Sequence, residues 1–212
     1  MLIRFAHRLV AHPAVYDAVQ TVVGARSVRR RFARATVLCR PGQTILDVGG
    51  GTGLLRALCP DDCRYICLDN EPPKLRGFLR RHPGGSALLA DAVHIPIKSG
   101  SVDVVVMAAV AHHLSDGMLA ATLQEARRIL RPGGTFLFLD AVLAPTWIPG
   151  KMLWALDRGA HPRSPEQLIE FIETSLRITS LDRFGVVHKY LICVANASPL
   201  GATLPVEPAS TF

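Results

Sequence analysis

The chain has 212 residues, of which 49% are hydrophobic and 19% are charged, and its formal net charge is +7. It can therefore bury a full core, and its length suits a single α/β enzyme domain. No apolar stretch approaches the length of a membrane span, and Arg4, His7 and Arg8 interrupt the first apolar run, which argues against a secretory signal. We expect a cytoplasmic protein.

The net positive charge of the chain comes from its first forty residues. Residues 1–40 contain eight arginines and one acid, whereas residues 41–212 contain sixteen basic and sixteen acidic residues. Apolar residues recur at helical spacing before and after Pro13, so we predict a basic helical leader over residues 1–40. Most of its charge comes from five arginines: Arg26, Arg29, Arg30, Arg31 and Arg34.

Two interpretations of this leader stay open. It can be a packed helix with a solvated arginine face. It can also face an anion, such as acidic membrane lipid, a phosphorylated or carboxylated substrate, or an acidic carrier protein. Nucleic acid fits less well, because aromatic residues are not interleaved with the arginines.

The most informative segment, residues 45–53, reads Ile-Leu-Asp-Val-Gly-Gly-Gly-Thr-Gly. Its first residues predict the end of a buried parallel strand, and an amphipathic segment at 54–59, predicted to be helical, follows it. A strand that enters a helix through glycines brings bare backbone against a ligand, since no Cβ intervenes. The alternating glycines are Gly49, Gly51 and Gly53.

This turn is not the dinucleotide fingerprint. Gly-x-Gly-x-x-Gly requires a sixth-place glycine, and Leu54 or Arg56 stands there instead. A nucleotide-dependent oxidoreductase is therefore a poor alternative. Asp47, just before the glycines, suits a ligand with a positively charged amino end, which a pyrophosphate lacks.

Acidic residues follow the next two strand-like runs. Asp69 ends the run 65–68, and an acid in that place can accept both hydroxyls of a ribose. Asp91 ends the run 87–90. The alternation of strands and helices continues to Leu139, which argues for a parallel sheet with helices on both faces.

These motifs resemble the class I S-adenosylmethionine (SAM) methyltransferases, including the family of the ubiquinone-biosynthesis methyltransferases. Asp47-x-Gly-x-Gly-x-Gly is similar to their first motif, and residues 91–103 and 125–139 are similar to later family segments. The resemblance covers roughly residues 41–195. It implies a Rossmann-like, doubly wound seven-stranded sheet, mostly parallel with an antiparallel last strand.

The resemblance also implies a domain division and a cofactor. The domain would span residues 41–196, with a lid at 141–162, after the leader at 1–40 and before a tail at 197–212. SAM would be the methyl donor and S-adenosylhomocysteine the product. The residues implied to bind this cofactor are Asp47, Gly49, Gly50, Gly51, Gly53, Asp69, Asn70, Asp91, Ala92 and Met107.

Two histidines follow the fourth strand-like run, where the family often carries a histidine-leucine pair. His112 and His113 are the candidate catalytic residues, either as hydrogen-bonded scaffold or as a proton acceptor. His113 matches the more regular family position, which leaves His112 as the candidate base. Asp103 and the Pro132-Gly133-Gly134 turn between a helix and a strand are expected to be structural.

The predicted lid carries both tryptophans, Trp147 and Trp154. An apolar lid of this kind favours a hydrophobic or aromatic acceptor. We expect no metal site, because the spacing of Cys59, Cys63 and Cys67 fits neither zinc nor a radical-SAM cluster.

We therefore predict a SAM-dependent methyltransferase of small-molecule biosynthesis, acting on oxygen or carbon of a partly hydrophobic acceptor. Two alternatives stay open: a membrane-associated lipid or quinone methyltransferase, and a non-catalytic partner protein with this fold. Methylation of base amino groups is disfavoured, because Met-Ala-Ala-Val at 107–110 replaces the motif that such enzymes carry there. The oligomeric state stays open.

Overall fold

The computed structural model describes residues 25–143, 161–186 and 188–197. Their seven strands form one sheet in the order β3-β2-β1-β4-β5-β7-β6. The strands are β1 Thr44–Val48, β2 Arg64–Asp69, β3 Ser86–Leu89, β4 Val102–Ala108, β5 Leu130–Val142, β6 Arg177–Gly185 and β7 Lys189–Asn196. The α-helices are α1 Ala25–Thr36, α2 Pro72–Arg81, α3 Asp116–Ile129 and α4 Pro165–Glu173, and short 3-10 helices cover Arg56–Leu58 and Ala111–His113.

The fold predicted from the sequence is confirmed. Neighbouring strands from β3 through β5 pair in parallel, and β7 pairs antiparallel with both β5 and β6. The short link between β6 and β7 allows only a hairpin, because a parallel return would need a long crossover. β7 therefore runs against the rest of the sheet.

The sheet is covered on both faces, as its apolar strands require. Alternate residues of β4 face opposite sides: Val105 and Met107 join the core under α3, whereas Val104 and Val106 join the core under α1. Helix α1 docks by burying Phe32 completely. This two-sided core holds the strand ends in fixed positions, from which the loops of the candidate site extend.

The strand order reverses between β1 and β4, which lie side by side in the middle of the sheet. In open parallel sheets, the crevice outside the carboxyl ends of the strands at such a reversal is where ligands bind. The segments that follow β1, β2, β3 and β4 contain most of the residues implied to bind the cofactor.

The helix expected at 54–59 is not present. Only Arg56–Leu58 forms a 3-10 turn. Pro60 limits the segment, and the Arg56 guanidinium folds back to donate hydrogen bonds to the carbonyls of Cys59, Pro60 and Asp61. A short segment closed by its own side chain has no room for an α-helix.

The Pro132-Gly133-Gly134 segment also differs from the expected helix-to-strand turn. Helix α3 passes directly into β5 at Leu130, and the three residues lie in a register shift within β5, with Gly133 at φ +73°. The neighbouring Asp103 has a structural role, since it accepts hydrogen bonds from the Thr44 backbone and from Arg131.

Several predictions fall outside the described residues. Residues 1–24, the segment 144–160 with both tryptophans, and the tail from 198 are among them, so the proposed leader, lid and tail stay predictions. Within the described ranges, no helix is both long enough and apolar enough to cross a membrane.

Candidate active site

The glycine turn, residues 49–53, has the backbone that its sequence requires. Gly49, Gly51 and Gly53 have φ values of +69°, +57° and +75°, in the left-handed region that glycine adopts without strain. A Cβ on Gly49 would lie 2.5 Å from Val110, whereas a Cβ on Gly51 would meet nothing closer than 3.8 Å. Gly49 therefore allows close packing, and Gly51 presents open backbone.

Asp47 lies beneath this turn in a nearly dry environment. It is 1% exposed, and its Oδ2 accepts a hydrogen bond from the Tyr65 hydroxyl. Burial raises the pKa of Asp47 to about 7, although the Tyr65 hydrogen bond acts in the opposite direction. The same oxygen would lie 2.7 Å from a Cβ on Gly50, so Gly50 is a position where only glycine fits.

Asp69 joins the end of β2 to the glycine turn. Its carboxylate is 3% exposed, and it accepts hydrogen bonds from the Gly51 amide at 3.0 Å and the Glu71 amide at 2.9 Å. Lys74 lies over it, with Nζ 3.9 Å from Asp69 Oδ2 and 2.7 Å from Glu71 Oε1. The acid expected to bind ribose thus borders the open glycine. The following Asn70 is exposed.

Asp91 lies further along the same sheet edge, two residues beyond β3. It is exposed, and its Oδ1 accepts a hydrogen bond from the Val93 amide. Ala92 packs half-buried against the core. Met107 is fully buried in the apolar core, and its side chain lines no open surface.

Helix α3 holds the loop after Asp91. Glu125 accepts a hydrogen bond from the Ile95 amide at 2.7 Å, and Arg128 donates to the Ile95 and Ile97 carbonyls, both at 2.8 Å. Glu125 and Arg128 also pair with each other, which lowers the pKa of the Glu125 carboxyl. The loop that carries Asp91 is therefore fixed by a polar clamp.

These features fit an adenosyl ligand. The turn offers open backbone at Gly51, an acid suited to ribose beside it at Asp69, and a second acid at Asp91. A buried carboxyl at Asp47 lies under the turn, where a positively charged ligand group would favour its ionised form.

The His112 segment, residues 109–114, forms the other side of the crevice. Its first residue, Ala109, has φ +57°, a conformation that costs a residue with a Cβ about 1–2 kcal/mol. Strain of this kind persists where the surrounding structure fixes the backbone, and it concentrates at functional sites. The next residue, Val110, is the one that packs on Gly49, so this segment and the glycine turn are in contact.

The two candidate histidines have different environments. His112 is 7% exposed, with Nδ1 2.6 Å from Asp140 Oδ1, and its backbone amide donates to Asp140 Oδ2 at 3.2 Å. His113 is exposed, and its ring centroid lies 4.1 Å from that of His112. The imidazole that pairs with Asp140 is therefore that of His112.

Sequence reasoning missed both Asp140 and Arg163. Asp140 follows an apolar run in β5, the same pattern that identified Asp69, so the signal was available. Arg163 had no local signal, because its partners lie far away in sequence. It is 5% exposed, donates to the Ala111 carbonyl at 2.8 Å and the Leu114 carbonyl at 2.7 Å, and forms an ion pair with Asp116.

The described residues on either side of 144–160 are attached to this same region. The Leu143 amide donates to the Arg163 carbonyl at 2.7 Å, and the His161 amide donates to the His112 carbonyl at 3.0 Å. The chain therefore leaves and returns beside His112. Among the described residues, no group of three histidine, cysteine or acidic side chains could hold a metal ion.

Comparison with known proteins identifies this arrangement. Residues 46–138 match the family model described as a methyltransferase domain, and this range includes the glycine turn, Asp69, Asp91 and His112. Over these residues the chain resembles the class I SAM-dependent methyltransferases. SAM is the cofactor of this domain type, and the fold and the family resemblance predicted from the sequence are both confirmed.

Three similar proteins illustrate the range. A demethylmenaquinone methyltransferase of Beutenbergia cavernae is 29% identical over 142 residues, covering 66% of this chain and 58% of that protein. A malonyl-[acyl-carrier protein] O-methyltransferase of Geobacter sulfurreducens is 33% identical over 138 residues, covering 62% and 49%. The methyltransferase domain is thus shared, but the chain spans only about half the length of these curated relatives.

The third is a solved structure. The geranyl diphosphate C-methyltransferase of Streptomyces coelicolor, in complex with S-adenosylhomocysteine, aligns with a TM-score of 0.64 at 12% identity. The alignment covers 78% of this chain and 74% of that one. At this level of identity, the likeness establishes the shared fold.

Proposed function

We propose that this protein is a SAM-dependent methyltransferase that modifies oxygen or carbon of a small, partly hydrophobic acceptor. The observation that carries the proposal is the open backbone of Gly51, hydrogen-bonded to the buried Asp69 at the reversal of strand order. Relatives named for demethylmenaquinone, and a fold neighbour named for geranyl diphosphate, support an acceptor with hydrophobic character.

The residues would divide the work as follows. When bound, SAM supplies a methyl group activated by a sulfonium centre. Asp69 binds the ribose and Asp91 the adenine amino group, while the Asp47 carboxylate favours the positively charged amino end. Binding that aligns the acceptor with the methyl carbon and excludes water supplies much of the rate. The His112 segment borders the space left for the acceptor.

A direct experiment tests this proposal. Calorimetry should detect S-adenosylhomocysteine with a micromolar Kd, roughly −8 kcal/mol of binding free energy. A labelled-methyl screen of hydrophobic metabolites should then find an acceptor. Binding without transfer to any acceptor would favour the non-catalytic partner protein, and the absence of binding would contradict the proposal.

A second proposal concerns the partner of α1. Arg31 is committed to the fold, because its Nε lies 2.6 Å from Asp182 Oδ2 and its guanidinium stacks 4.9 Å over Phe184. Arg29, Arg30 and Arg34 are exposed on the same helix. We infer that these three residues, rather than Arg31, can contact an anionic membrane or an acidic carrier protein. The relative named for an acyl-carrier-protein substrate supports the second option.

We therefore propose a cytoplasmic enzyme of small-molecule biosynthesis whose exposed arginines contact an anionic partner at its surface. Sedimentation with vesicles of acidic and of neutral phospholipid tests the membrane option, and an acyl carrier protein added to the methyl-transfer assay tests the carrier option. Equal sedimentation with both kinds of vesicle and no effect of the carrier would leave only a solvated arginine face.

A further inference from the structure

The carboxylate of Asp140 has an unusual concentration of donors. It is 1% exposed and accepts hydrogen bonds from His112 Nδ1 at 2.6 Å, from the His112 amide at 3.2 Å and from the Ala141 amide at 2.7 Å. The Ala141 amide bonds Oδ1 and the His112 amide bonds Oδ2. Because both oxygens already accept from backbone, the carboxylate acts as an acceptor toward the imidazole, and Nδ1 is the donor.

The hydrogen bond from Nδ1 determines which nitrogen of the His112 ring can accept a proton. A neutral histidine carries one ring proton, so a proton on Nδ1 leaves Nε2 as the basic nitrogen. A carboxylate bonded to Nδ1 also stabilises the imidazolium that forms when Nε2 takes up a second proton, as in hydrolases that use a paired histidine. Asp140 therefore sets His112 in the form that a proton acceptor needs.

The backbone of the segment is fixed as firmly as the ring. Arg163 donates to the carbonyls of Ala111 and Leu114, on either side of the two histidines. Two further titratable residues contact His112: the His113 ring packs against its ring, and the His161 amide donates to its carbonyl, while Asp116 is paired with Arg163. Asp140 holds the His112 ring through Nδ1 and the His112 backbone through its amide, and Arg163 holds the flanking carbonyls, so the ring is built to keep one orientation.

We propose that Asp140 is a positioning residue that holds His112 as the proton acceptor for acceptors with an un-ionised hydroxyl or an acidic carbon. The inference rests on the proposed methyltransferase function. The acceptor atom forms a bond to the methyl carbon, and the bond from that carbon to sulfur breaks with its electron pair left on sulfur. The acceptor proton passes to Nε2 of His112. One positive charge thus moves from the sulfonium to the imidazolium.

The substrate class follows from this assignment. An acceptor that is already ionised, such as a carboxylate, has no proton to lose and does not need the pair. A phenol, an alcohol or a carbon acid does, because general-base assistance contributes about 100-fold or more to such a step. The proposal therefore predicts that the benefit of Asp140 depends on the acceptor.

The first test reads the ring itself and needs no turnover. Nitrogen-15 spectra of the imidazoles should report a proton on Nδ1 of His112 in the full chain, assigned by its loss in His112→Gln. Asp140→Asn should shift the His112 signal toward the other tautomer. A proton on Nε2 in the unchanged protein at neutral pH would overturn the proposal, whatever the variants do.

The second test uses turnover. In Asp140→Asn and in His112→Gln, kcat toward a hydroxyl acceptor should fall about 100-fold or more, and the pH–rate profile should lose its limb near neutrality. The loss in the double variant should be no larger than in either single variant, because the residues act as a unit. With a carboxylate acceptor, kcat should change only a few-fold.

Two controls separate the outcomes. Affinity for S-adenosylhomocysteine should stay within about threefold in all variants, and Asp182→Asn, which removes an acid paired with Arg31, should leave kcat unchanged. If Asp140→Asn folds with the same pH profile and equal losses for both acceptor types, Asp140 merely caps the 3-10 helix and the proposal is wrong. If the unchanged chain fails to bind S-adenosylhomocysteine, the proposed function fails instead, independently of the tautomer.

Discussion

The two sides of the crevice are built in different ways. The glycine turn is mostly backbone: Gly49, Gly51 and Gly53 have left-handed φ values, and the amide of Gly51 meets one carboxylate, that of Asp69. The His112 segment is held by side chains from elsewhere, with Asp140 on its ring and Arg163 on its carbonyls. The cofactor side is thus formed by consecutive residues, whereas the acceptor side is assembled from distant parts of the chain.

The two constructions differ in how much of the site a sequence can reveal. The glycine turn is encoded within a few consecutive residues, so its pattern is visible in the sequence. The His112 segment depends on single residues far apart in the chain, and their roles become visible only in the folded structure. This difference also predicts different behaviour on mutation. Changes in the glycine turn should alter binding more than stability, and changes beneath the His112 segment should alter stability or turnover with cofactor binding preserved.

The largest expected effect comes from Gly51→Val. A β-branched residue at φ +57° is strained, and its side chain fills the open backbone surface offered to the cofactor. Affinity for S-adenosylhomocysteine in calorimetry should fall at least about 100-fold, or roughly 3 kcal/mol. Gly100→Val is the matched control, because Gly100 has φ +62° with nothing within 4 Å and lies in a turn before β4.

Both glycine variants should lose similar folding stability, since the strain is similar. Only Gly51→Val should lose binding. Equal affinity in the two variants would remove Gly51 from the site.

The next largest effect is expected beneath the His112 segment. Arg163→Met removes a buried cation and leaves the Ala111 and Leu114 carbonyls without their donor. Because an unsatisfied buried polar group costs about 1–3 kcal/mol, the free energy of unfolding in urea should fall by roughly 2–4 kcal/mol. Arg183→Met is the control, since Arg183 forms a more exposed pair with Glu166 and should cost at most about 1 kcal/mol. Equal losses would show that Arg163 has no special role.

The cofactor side was easier to predict from the sequence than the acceptor side. The placement of the glycine turn, Asp69 and Asp91 at one edge of the sheet was predictable, because each lies at the end of its own strand and the sheet brings the strand ends together. Their roles in cofactor binding stay predictions. The helix expected at 54–59 was wrong, because the segment ends in a turn before Pro60 that the Arg56 side chain closes, and only a 3-10 turn forms. A hydrophobic pattern does not report such a turn.

The acceptor side was found only in part. His112 and His113 were recognised from their position, and the family resemblance left His112 as the candidate base, but Asp140 was not identified as the partner of its ring. Arg163 lies 52 residues from Ala111, whose carbonyl it binds, and only tertiary packing relates the two. Met107 is fully buried, and its predicted contact with the cofactor stays a prediction.

The stability of the cofactor side should depend on pH through Asp47. The pKa of Asp47 is about 7 in the folded chain, against about 4 in an unfolded one. The fold therefore favours the protonated form, and the contribution of Asp47 to stability is present below pH ~4 and lost as the pH rises to ~7. Unfolding in urea should show this decline, and Asp47→Asn should flatten it.

Tyr65→Phe provides the opposite change. The Tyr65 hydroxyl lowers the pKa of Asp47, so its removal should shift the decline to higher pH. Affinity of the unchanged chain for S-adenosylhomocysteine should in turn increase as the pH rises through 7, because the ionised carboxylate favours the ligand's amino group. A decline that survives unchanged in Asp47→Asn would assign it to another group.

The smallest effect concerns α1. Changing Arg29, Arg30 and Arg34 together to Gln should weaken acidic-vesicle or carrier binding several-fold at low salt, and the difference should shrink at high salt, where charges are screened. Arg31→Gln should leave that binding unchanged and instead cost up to about 1 kcal/mol of unfolding free energy, because Arg31 pairs with Asp182. Weaker binding in Arg31→Gln, together with unchanged binding in the triple variant, would contradict this assignment of the arginines.

A crystal structure of the chain with S-adenosylhomocysteine would show directly whether the glycine turn and the His112 segment form one active site. The ribose hydroxyls should lie within hydrogen-bonding distance of Asp69, the adenine next to Asp91, and the thioether sulfur should face the His112 segment across the glycine turn. Such a complex would join the two sides in one active site. A ligand bound away from Gly51 and Asp69, or one whose sulfur faces away from His112, would contradict the account.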